Sequence, residues 1–273
     1  MNISHVRNLR KIVIPLLKKI NPGTIAIKHH YTGNKFVLDA FAHKGYWYYG
    51  KNREIETMKM FEMLIKPGSI VVEIGGHIGY ITQLFSSLSS ERGKVYVFEP
   101  GNNNLPYIKE NIKDLKNVTL TEKAVSDKNG KANFYTENIS GQNNSLLANY
   151  GQGVEKNSYV SRDEKIIEVE TITLDTFCVQ KHVNPDFIKI DIEGAEIMAL
   201  GGMKSVLNDI SPILMIEVTK RKEEVFNMVR SANYSLFDPV KRIFINGNGH
   251  YGNTFCFHNI RHAQKIKELK QDN

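Results

Sequence analysis

Cysteine is scarce in this sequence, and its scarcity limits the class of protein. The 273 residues include two cysteines, Cys178 and Cys256, far apart along the chain. Two cysteines cannot form the disulfide framework of a small secreted domain, and this pair lacks the spacing of a metal site. With 41% hydrophobic residues, the chain can instead bury a sizeable core, which fits a protein of a reducing compartment.

Long apolar runs are absent as well. No uninterrupted run reaches the roughly 18 residues of a membrane-spanning helix. The opening segment is basic and has a short apolar stretch before Lys18 and Lys19, whereas a signal peptide has a longer apolar region and small residues at its cleavage site. We therefore expect a cytoplasmic protein that is not exported.

Acidic residues are missing from residues 1–20, so the positive charge is concentrated at the two ends of the chain. Residues 1–20 and residues 261–273 together account for the formal net charge of +7, and the body between them is formally neutral. A nucleic-acid-binding protein more often has a basic face on its body, so we expect no nucleic-acid partner. Two interpretations of residues 1–20 stay open: an amphipathic helix on the inner face of a membrane or on a lipid-linked substrate, or a solvated helix that is free or forms a homodimer contact.

Hydrophobic periodicity predicts an α/β fold. After Pro67, short strands that are apolar on both faces alternate with helices, which indicates a mostly parallel sheet with helices on both faces. Residues 24–49 alternate around a turn and predict a hairpin or small antiparallel sheet, and the long polar stretch 137–164 predicts a loop. We expect an N-terminal helix and hairpin over residues 1–53, an α/β domain over 54–260 and a basic tail over 261–273.

The predicted strands end in acidic residues. A doubly wound sheet binds its ligands beyond the carboxyl ends of its strands, so these positions mark the candidate site. The strand-end acids are Glu73, Glu99, Asp191 and Glu217.

A glycine-rich loop, VVEIGGHIGY, follows the first of these strands. The dinucleotide fingerprint G-x-G-x-x-G fails because its first glycine would fall on Ile74. The loop fits E-x-G-x-x-x-G instead, through Glu73, Gly75 and Gly79. An acid here would repel a pyrophosphate but would attract a ligand with an amino group and a sulfonium. Because Glu99 can accept both hydroxyls of a ribose, the loop suits S-adenosylmethionine better than NAD; a tight turn without a ligand is the alternative.

These motifs resemble the FkbM-type family of S-adenosylmethionine-dependent O-methyltransferases. The resemblance runs from about Pro67 to Val218 and includes VYVFEP, EKAVSD and TITLDTF; its most specific part is FIKIDIEGAEIMALGG. It implies a Rossmann-like class I methyltransferase with a seven-stranded sheet and an antiparallel terminal strand. It also implies methylation of a hydroxyl, often on a sugar or a polyketide.

The cofactor predicted from the loop and the resemblance is S-adenosylmethionine. The loop departs from the more frequent family pattern, which has Asp at position 73 and Ala-Asn at positions 76 and 77. The predicted cofactor-binding residues are Glu73, Gly75, Gly76, His77, Gly79, Glu99, Pro100 and Asp191.

Two neighbouring carboxylates, Asp191 and Glu193, are the predicted catalytic residues. Methyl transfer is an in-line displacement, and a general base helps a sugar hydroxyl to attack. Asp191 is expected to be the base or a contact on the methyl side of the cofactor, and Glu193 the base, an acceptor ligand or a helix cap. Glu196 is expected at the surface. Mg²⁺ bound by the two carboxylates is the competing use, and no metal is predicted.

Three residues are predicted to bind the acceptor. Asn144 and Ser145 resemble a Ser-Leu motif of the family near the active-site mouth, and amides and hydroxyls suit a sugar; ordinary loop chemistry is the alternative. Trp47 belongs to an aromatic cluster that can stack on a sugar ring or pack in the N-terminal sheet.

The sequence therefore predicts an O-methyltransferase of glycan biosynthesis that acts on a sugar hydroxyl of a small-molecule or glycan acceptor. Three alternatives were weighed: an NAD-dependent sugar oxidoreductase or epimerase, a non-catalytic nucleotide-binding module of the same fold, and a nucleic-acid methyltransferase. The first lacks the glycine fingerprint, and its Tyr-x-x-x-Lys spacing at Tyr31 precedes the cofactor domain. The last lacks an Asn/Asp-Pro-Pro-Tyr/Phe motif and a basic body.

Overall fold

The computed structural model describes residues 20–137, 140–142, 144–148, 164–247 and 252–271. The predicted basic helix at the N-terminus, with its membrane or dimer contact, and most of the predicted polar loop lie outside these ranges. Within them, no helix is both long and apolar enough to cross a bilayer.

The strands and helices alternate along the chain as the apolar pattern predicts. The strands are β1 (Thr24–Lys28), β2 (Lys35–Asp39), β3 (Ile70–Ile74), β4 (Lys94–Phe98), β5 (Val118–Thr121), β6 (Ala124–Val125), β7 (Gly130–Glu137), β8 (Glu164–Ile172), β9 (Phe187–Ile190), β10 (Ile213–Val218), β11 (Tyr234–Asp238), β12 (Ile243–Phe244) and β13 (Gly252–His258). The helices are α1 (Lys44–Tyr49), α2 (Ile55–Leu64), α3 (Tyr80–Ser89), α4 (Leu105–Ile112), α5 (Leu174–Lys181), α6 (Glu196–Gly201), α7 (Lys222–Ser231) and α8 (Ala263–Gln271).

The central sheet has the strand order β12-β11-β13-β10-β9-β3-β4-β5. Strands β5, β4, β3, β9 and β10 are parallel to one another, whereas β13 is antiparallel to both β10 and β11. All four residues of β9 are buried, because helices cover both faces of the sheet. The predicted seven-stranded class I methyltransferase sheet is confirmed, and the two-residue strand β12 extends it by pairing with the edge strand β11.

Two smaller sheets flank the central one. The predicted N-terminal hairpin is confirmed as β1 paired with β2. The chain then turns into helix α1 instead of continuing as strand, because the Asp39 carboxylate accepts hydrogen bonds from the backbone N–H groups of Phe41 and Ala42. Strands β6, β8 and β7 form the second small sheet. The apolar pattern of residues 117–125 predicts a single strand, but the structure divides these residues between β5 and β6, which belong to different sheets.

Two predicted boundaries change in the structure. The apolar pattern predicts one helix over residues 195–207, but α6 ends at Gly201 and a separate π-helical turn follows at Val206–Ile210. Between them, Gly202 packs where a Cβ would overlap the backbone oxygen of Ser126. The segment expected as a basic tail contains α8, which buries Ile266 and Leu269 against the core.

The core on one face of the sheet is built around phenylalanine rings. The ring of Phe61 in α2 packs edge to face on Phe85 and Phe187, with centroids 4.9 and 5.8 Å away, and lies 5.8 Å from Phe255. Such contacts add to the free energy gained by burying the rings. This cluster ties α2 to α3 and to the centre of the sheet.

Replacing Phe61 by alanine should destabilise the protein by about 3–5 kcal/mol, because it leaves a cavity among rings that cannot collapse freely. Urea denaturation followed by circular dichroism measures the change. Val179→Ala is the matched control, since Val179 is 73% exposed, and it should change the free energy of unfolding by less than about 1 kcal/mol. An equally small effect of Phe61→Ala would contradict the packing described here.

Candidate active site

A cavity of about 250 Å³ opens where the parallel strands of the central sheet end. Apolar side chains from β4, β6 and β7 and from the residues after β7 form part of its wall, and charged side chains around β9, β10 and the start of α2 form another. The apolar residues include Phe98, Val125, Phe134 and Leu146, and the charged residues include Arg53, Glu54, Glu99, Asp191, Glu193 and Glu217.

The glycine loop brings backbone to the cavity at Gly75. This residue has φ +90°, and a Cβ at its position would overlap the backbone oxygen of Asp191. The N–H groups of Gly75 and Gly76 both donate to the carbonyl of Phe98, at 3.0 Å each. The ends of β3, β4 and β9 therefore meet at a point that only glycine can occupy.

The other two predicted loop glycines do not line the cavity. A Cβ on Gly76 would overlap the side chains of Val97 and Ile108, and Gly79, at φ +86°, begins α3 against Ile108. Their lack of side chains lets the loop pack on β4 and α4. They support the loop from behind the cavity wall.

Glu99 lines the cavity directly after β4, together with Pro100 and Asn104. Its carboxylate accepts hydrogen bonds from the backbone N–H groups of His77 (2.7 Å) and Gly101 (2.8 Å) and from the Asn104 amide (3.2 Å). Burial raises the pKa of Glu99 to about 7, although these hydrogen bonds favour the charged form. A carboxylate can accept further hydrogen bonds, so Glu99 can still take hydroxyl donors from a ligand.

Glu73, also predicted to bind the cofactor, does not reach the cavity. Its carboxylate is 1% exposed and accepts a hydrogen bond of 2.7 Å from the Thr82 hydroxyl. Burial raises the pKa of Glu73 to about 7, against the attraction of Lys189. Glu73 thus belongs to the layer beneath the glycine loop.

Lys189, in the middle of β9, is the buried cation of the site. Its ammonium lies 3.0 Å from Asp191 Oδ2 and 3.7 Å from Glu73 Oε1, and it donates a hydrogen bond of 3.1 Å to the Gly75 carbonyl. Although burial alone would lower it, the two carboxylates raise the pKa of Lys189 above its ordinary value. The sequence analysis missed this residue; a lysine inside a strand that is otherwise apolar on both faces is the signal that could have found it.

Asp191 and Glu217 lie side by side, because β9 and β10 are parallel neighbours with Ile190 opposite Ile216. Burial would raise the pKa of Asp191, but Lys189 and a hydrogen bond with Glu217 hold it below its ordinary value. The charge of Asp191, together with burial, raises the pKa of Glu217 to about 10. At neutral pH the pair therefore consists of an ionised Asp191 and a protonated Glu217.

Glu193, the second predicted catalytic residue, lines the cavity two residues after Asp191. Its backbone has φ +53°, an unusual conformation for a glutamate. The hydroxyl of Ser145 donates to its carbonyl at 2.9 Å. This bond connects the residues after β7 with the turn after β9.

Glu196 was expected at the surface, and this expectation is wrong. Glu196 is 1% exposed, and its Oε1 accepts a hydrogen bond of 2.7 Å from the Gly194 N–H. The carboxylate folds back over the start of α6 instead of pointing to solvent. Burial raises the pKa of Glu196 to about 7.

The N-terminal extension closes the cavity through a chain of hydrogen bonds. The Tyr46 hydroxyl donates to His77 Nδ1 at 3.0 Å, and His77 Nε2 donates to the Ser140 carbonyl at 2.9 Å. His43 Nε2 donates to the same carbonyl at 3.2 Å. Burial lowers the pKa values of His77 and His43 to about 3 and about 4, so both rings are neutral. The guanidinium of Arg53 lies 4.5 Å from the Tyr46 ring centroid.

The structure places the three predicted acceptor-binding residues differently. Asn144 lines the cavity, but its amide already bonds the Asn103 side chain at 2.7 Å and the Glu137 N–H at 3.0 Å. Ser145 is buried behind the wall. Trp47 points away from the cavity, with its ring N–H bonded to the Ala40 carbonyl at 2.8 Å, and its neighbour Tyr46 lines the wall instead.

Across the described ranges, no group of three or more His, Cys, Asp or Glu side chains is arranged to hold a metal ion.

The sheet order and the cavity at its carboxyl edge define a class I methyltransferase fold. The family model for the methyltransferase FkbM domain matches residues 73–249, and the chain belongs to this family of methyltransferases.

One curated relative and two solved structures illustrate the similarity. The chain is 28% identical over 154 residues to the 2-O-methyltransferase NoeI of Sinorhizobium fredii (strain NBRC 101917 / NGR234), a match that covers 55% of this chain and 63% of that protein. The FkbM methyltransferase structure from Methylobacillus flagellatus KT has a TM-score of 0.47 at 15% identity, covering 70% of this chain and 44% of that one. Aeropyrum pernix fibrillarin, solved with natively bound S-adenosyl-L-methionine, has a TM-score of 0.43 at 9% identity, covering 86% and 93%.

Replacing Glu196 by glutamine should make stability less dependent on pH. A raised pKa means that the folded wild type loses stability as pH rises from 4.5 to about 7, because the ionised carboxylate is buried. The shift corresponds to roughly 3 kcal/mol, which Glu196→Gln should remove.

Urea denaturation at several pH values between 4.5 and 8 measures how the free energy of unfolding changes with pH. Glu223→Gln, at an exposed position of α7, is the control and should follow the wild type. If the free energies of unfolding of the wild type and Glu196→Gln changed with pH in the same way, the burial of the Glu196 carboxylate would be contradicted.

Proposed function

We propose that this protein is an S-adenosylmethionine-dependent O-methyltransferase that acts on a hydroxyl of a sugar in a glycan or glycosylated intermediate. The observation that carries the proposal is one cavity in which Glu99, after β4, and an ionised Asp191, beside the glycine loop, face the same space. The first suits the hydroxyls of a ribose, and the second suits a sulfonium.

The residues around Glu99 fit an adenosine. Val125, Phe134 and Leu146 supply an apolar surface for a ring. The side-chain oxygen of Asn104 is buried and has no hydrogen-bond partner among the described residues. Buried polar atoms are rarely left unpaired, so this oxygen is ready to accept a hydrogen bond from a ligand.

The residues around Asp191 fit a cationic centre. When bound, S-adenosylmethionine supplies an electrophilic methyl group, which bonds to the acceptor oxygen as the carbon–sulfur bond breaks and its electron pair stays on sulfur. Asp191 stays ionised because Lys189 lies 3.0 Å away, and a negative charge there attracts a cation. Gly75 lets the ligand approach the backbone without a side chain in between.

The remaining polar groups suit an uncharged polyol. Tyr46 and Arg53 of the N-terminal extension, Glu54 before α2 and Glu193 after β9 offer both donors and acceptors to hydroxyl groups. The carboxyl groups outnumber the cations on this side, which disfavours a phosphorylated or otherwise anionic acceptor. The name of the relative NoeI, a 2-O-methyltransferase, supports oxygen as the methylated atom.

Isothermal titration calorimetry with S-adenosylmethionine, S-adenosylhomocysteine and NAD⁺ tests the cofactor. The wild type should bind both adenosyl ligands and not NAD⁺. Glu99→Ala should weaken binding by about 10–100-fold, the loss expected for hydrogen bonds to a charged group.

Glu91→Ala, at an exposed position after α3, is the matched control and should bind like the wild type. Thermal melting shows whether Glu99→Ala is folded. Binding of NAD⁺ alone would contradict the proposal; binding of the adenosyl ligands leads to a screen of glycan acceptors by S-adenosylhomocysteine formation.

A further inference from the structure

The carboxyl pair at the ends of β9 and β10 has a property that neither carboxylate would have alone. Asp191 and Glu217 both line the cavity and follow paired residues of adjacent strands, so that their carboxyl groups lie side by side and can form a hydrogen bond. Two carboxylates can form such a bond only when one of them carries a proton. The pair therefore holds one proton.

The surroundings determine which residue holds this proton. Asp191 lies against the Lys189 ammonium at 3.0 Å, so it keeps its negative charge. Glu217 faces the carboxylates of Asp191, Glu193 and Glu54, whose combined charge favours a neutral group. Arg53 is the nearby cation of the same cavity wall, and its guanidinium is engaged by Glu54 at 3.3 Å.

A ligand with a positive centre changes this balance. A unit positive charge within a few ångströms of the pair weakens its hold on the proton by orders of magnitude. Asp191 and Glu217 line the wall that suits a sulfonium. The proton then leaves to solvent, and no bond other than the O–H bond of Glu217 breaks.

We infer that binding of S-adenosylmethionine expels the proton shared by Asp191 and Glu217, so that Glu217 becomes a carboxylate able to accept the proton of the acceptor hydroxyl. This inference rests on the proposed function. It assigns to Glu217 a role that the sequence analysis had divided between Asp191 and Glu193. It also makes the base available only after the cofactor is in place.

Proton release can be measured without knowing the acceptor. Calorimetric titrations of S-adenosylmethionine at about pH 8.5, in buffers with different ionisation enthalpies, give the number of protons released from the slope of enthalpy against buffer enthalpy. At this pH the carboxyl groups of Glu73, Glu99 and Glu196, with pKa values of about 7, are already ionised. Glu217 is not. The α-amino group of the ligand also titrates near this pH, so the difference in proton release between the wild type and Glu217→Gln reports on the pair.

Two comparisons make the test specific. The wild type should release about one proton with S-adenosylmethionine and markedly less with S-adenosylhomocysteine, which has the same amino-acid and adenosine groups but no sulfonium. Glu217→Gln should bind S-adenosylmethionine without this release, and Glu223→Gln should behave like the wild type. Above about pH 8, the affinity of the wild type for S-adenosylmethionine should also rise more steeply with pH than that of Glu217→Gln, by up to about tenfold per pH unit.

The outcomes separate the two proposals. If both ligands release equally, or if Glu217→Gln releases as many protons as the wild type, the inference is overturned and the proposed function stands. If S-adenosylmethionine does not bind, the proposed function falls and the inference with it. If Glu217→Gln does not fold, the comparison of the two ligands on the wild type decides the question alone.

Discussion

The ammonium of Lys189 is the interaction on which the site depends. Buried in a central strand, it contacts Asp191, Glu73 and the Gly75 carbonyl, and so joins the ends of β9 and β3 under the cavity. Burying a charge is costly unless it is paired and hydrogen-bonded, and here all of its partners belong to the site. Without this cation, Glu73 would be a buried carboxylate with no positive charge beside it, and Asp191 would lose its ion pair.

A single row of strand ends therefore provides carboxyl groups with different protonation states. Asp191 is ionised because it faces the cation, whereas Glu217, one strand away, is neutral because it faces other carboxylates. Glu99, at the far end of the row, is held by backbone N–H groups. Environments that separate the pKa values of neighbouring acids are how one site can both bind a cation and accept a proton.

The sequence predicted the strands and the acids at their ends, because strands buried on both faces have long apolar runs and parallel strands end at one edge. It did not predict which side chains face the cavity, since that depends on packing between distant segments. Tyr46 and Trp47 are consecutive residues of the six-residue helix α1, so their side chains point to different sides of the helix. Tyr46 lines the cavity wall and Trp47 does not. The burial of Lys189 and Glu196 was missed because charged residues are expected at the surface. Their burial is stabilised by partners that come together only when the chain folds.

The N-terminal extension gives the cavity a wall of separate origin. Tyr46, Arg53 and Glu54 face the same space as Glu99 and Asp191, yet they precede residue 73, where the match to the family begins. Under the proposed function, the acceptor side of the cavity is thus encoded partly before the stretch that matches the family and partly, through Glu193, within it. A change confined to the segment before residue 73 would then alter part of the acceptor wall and leave Glu99, Asp191 and the glycine loop in place.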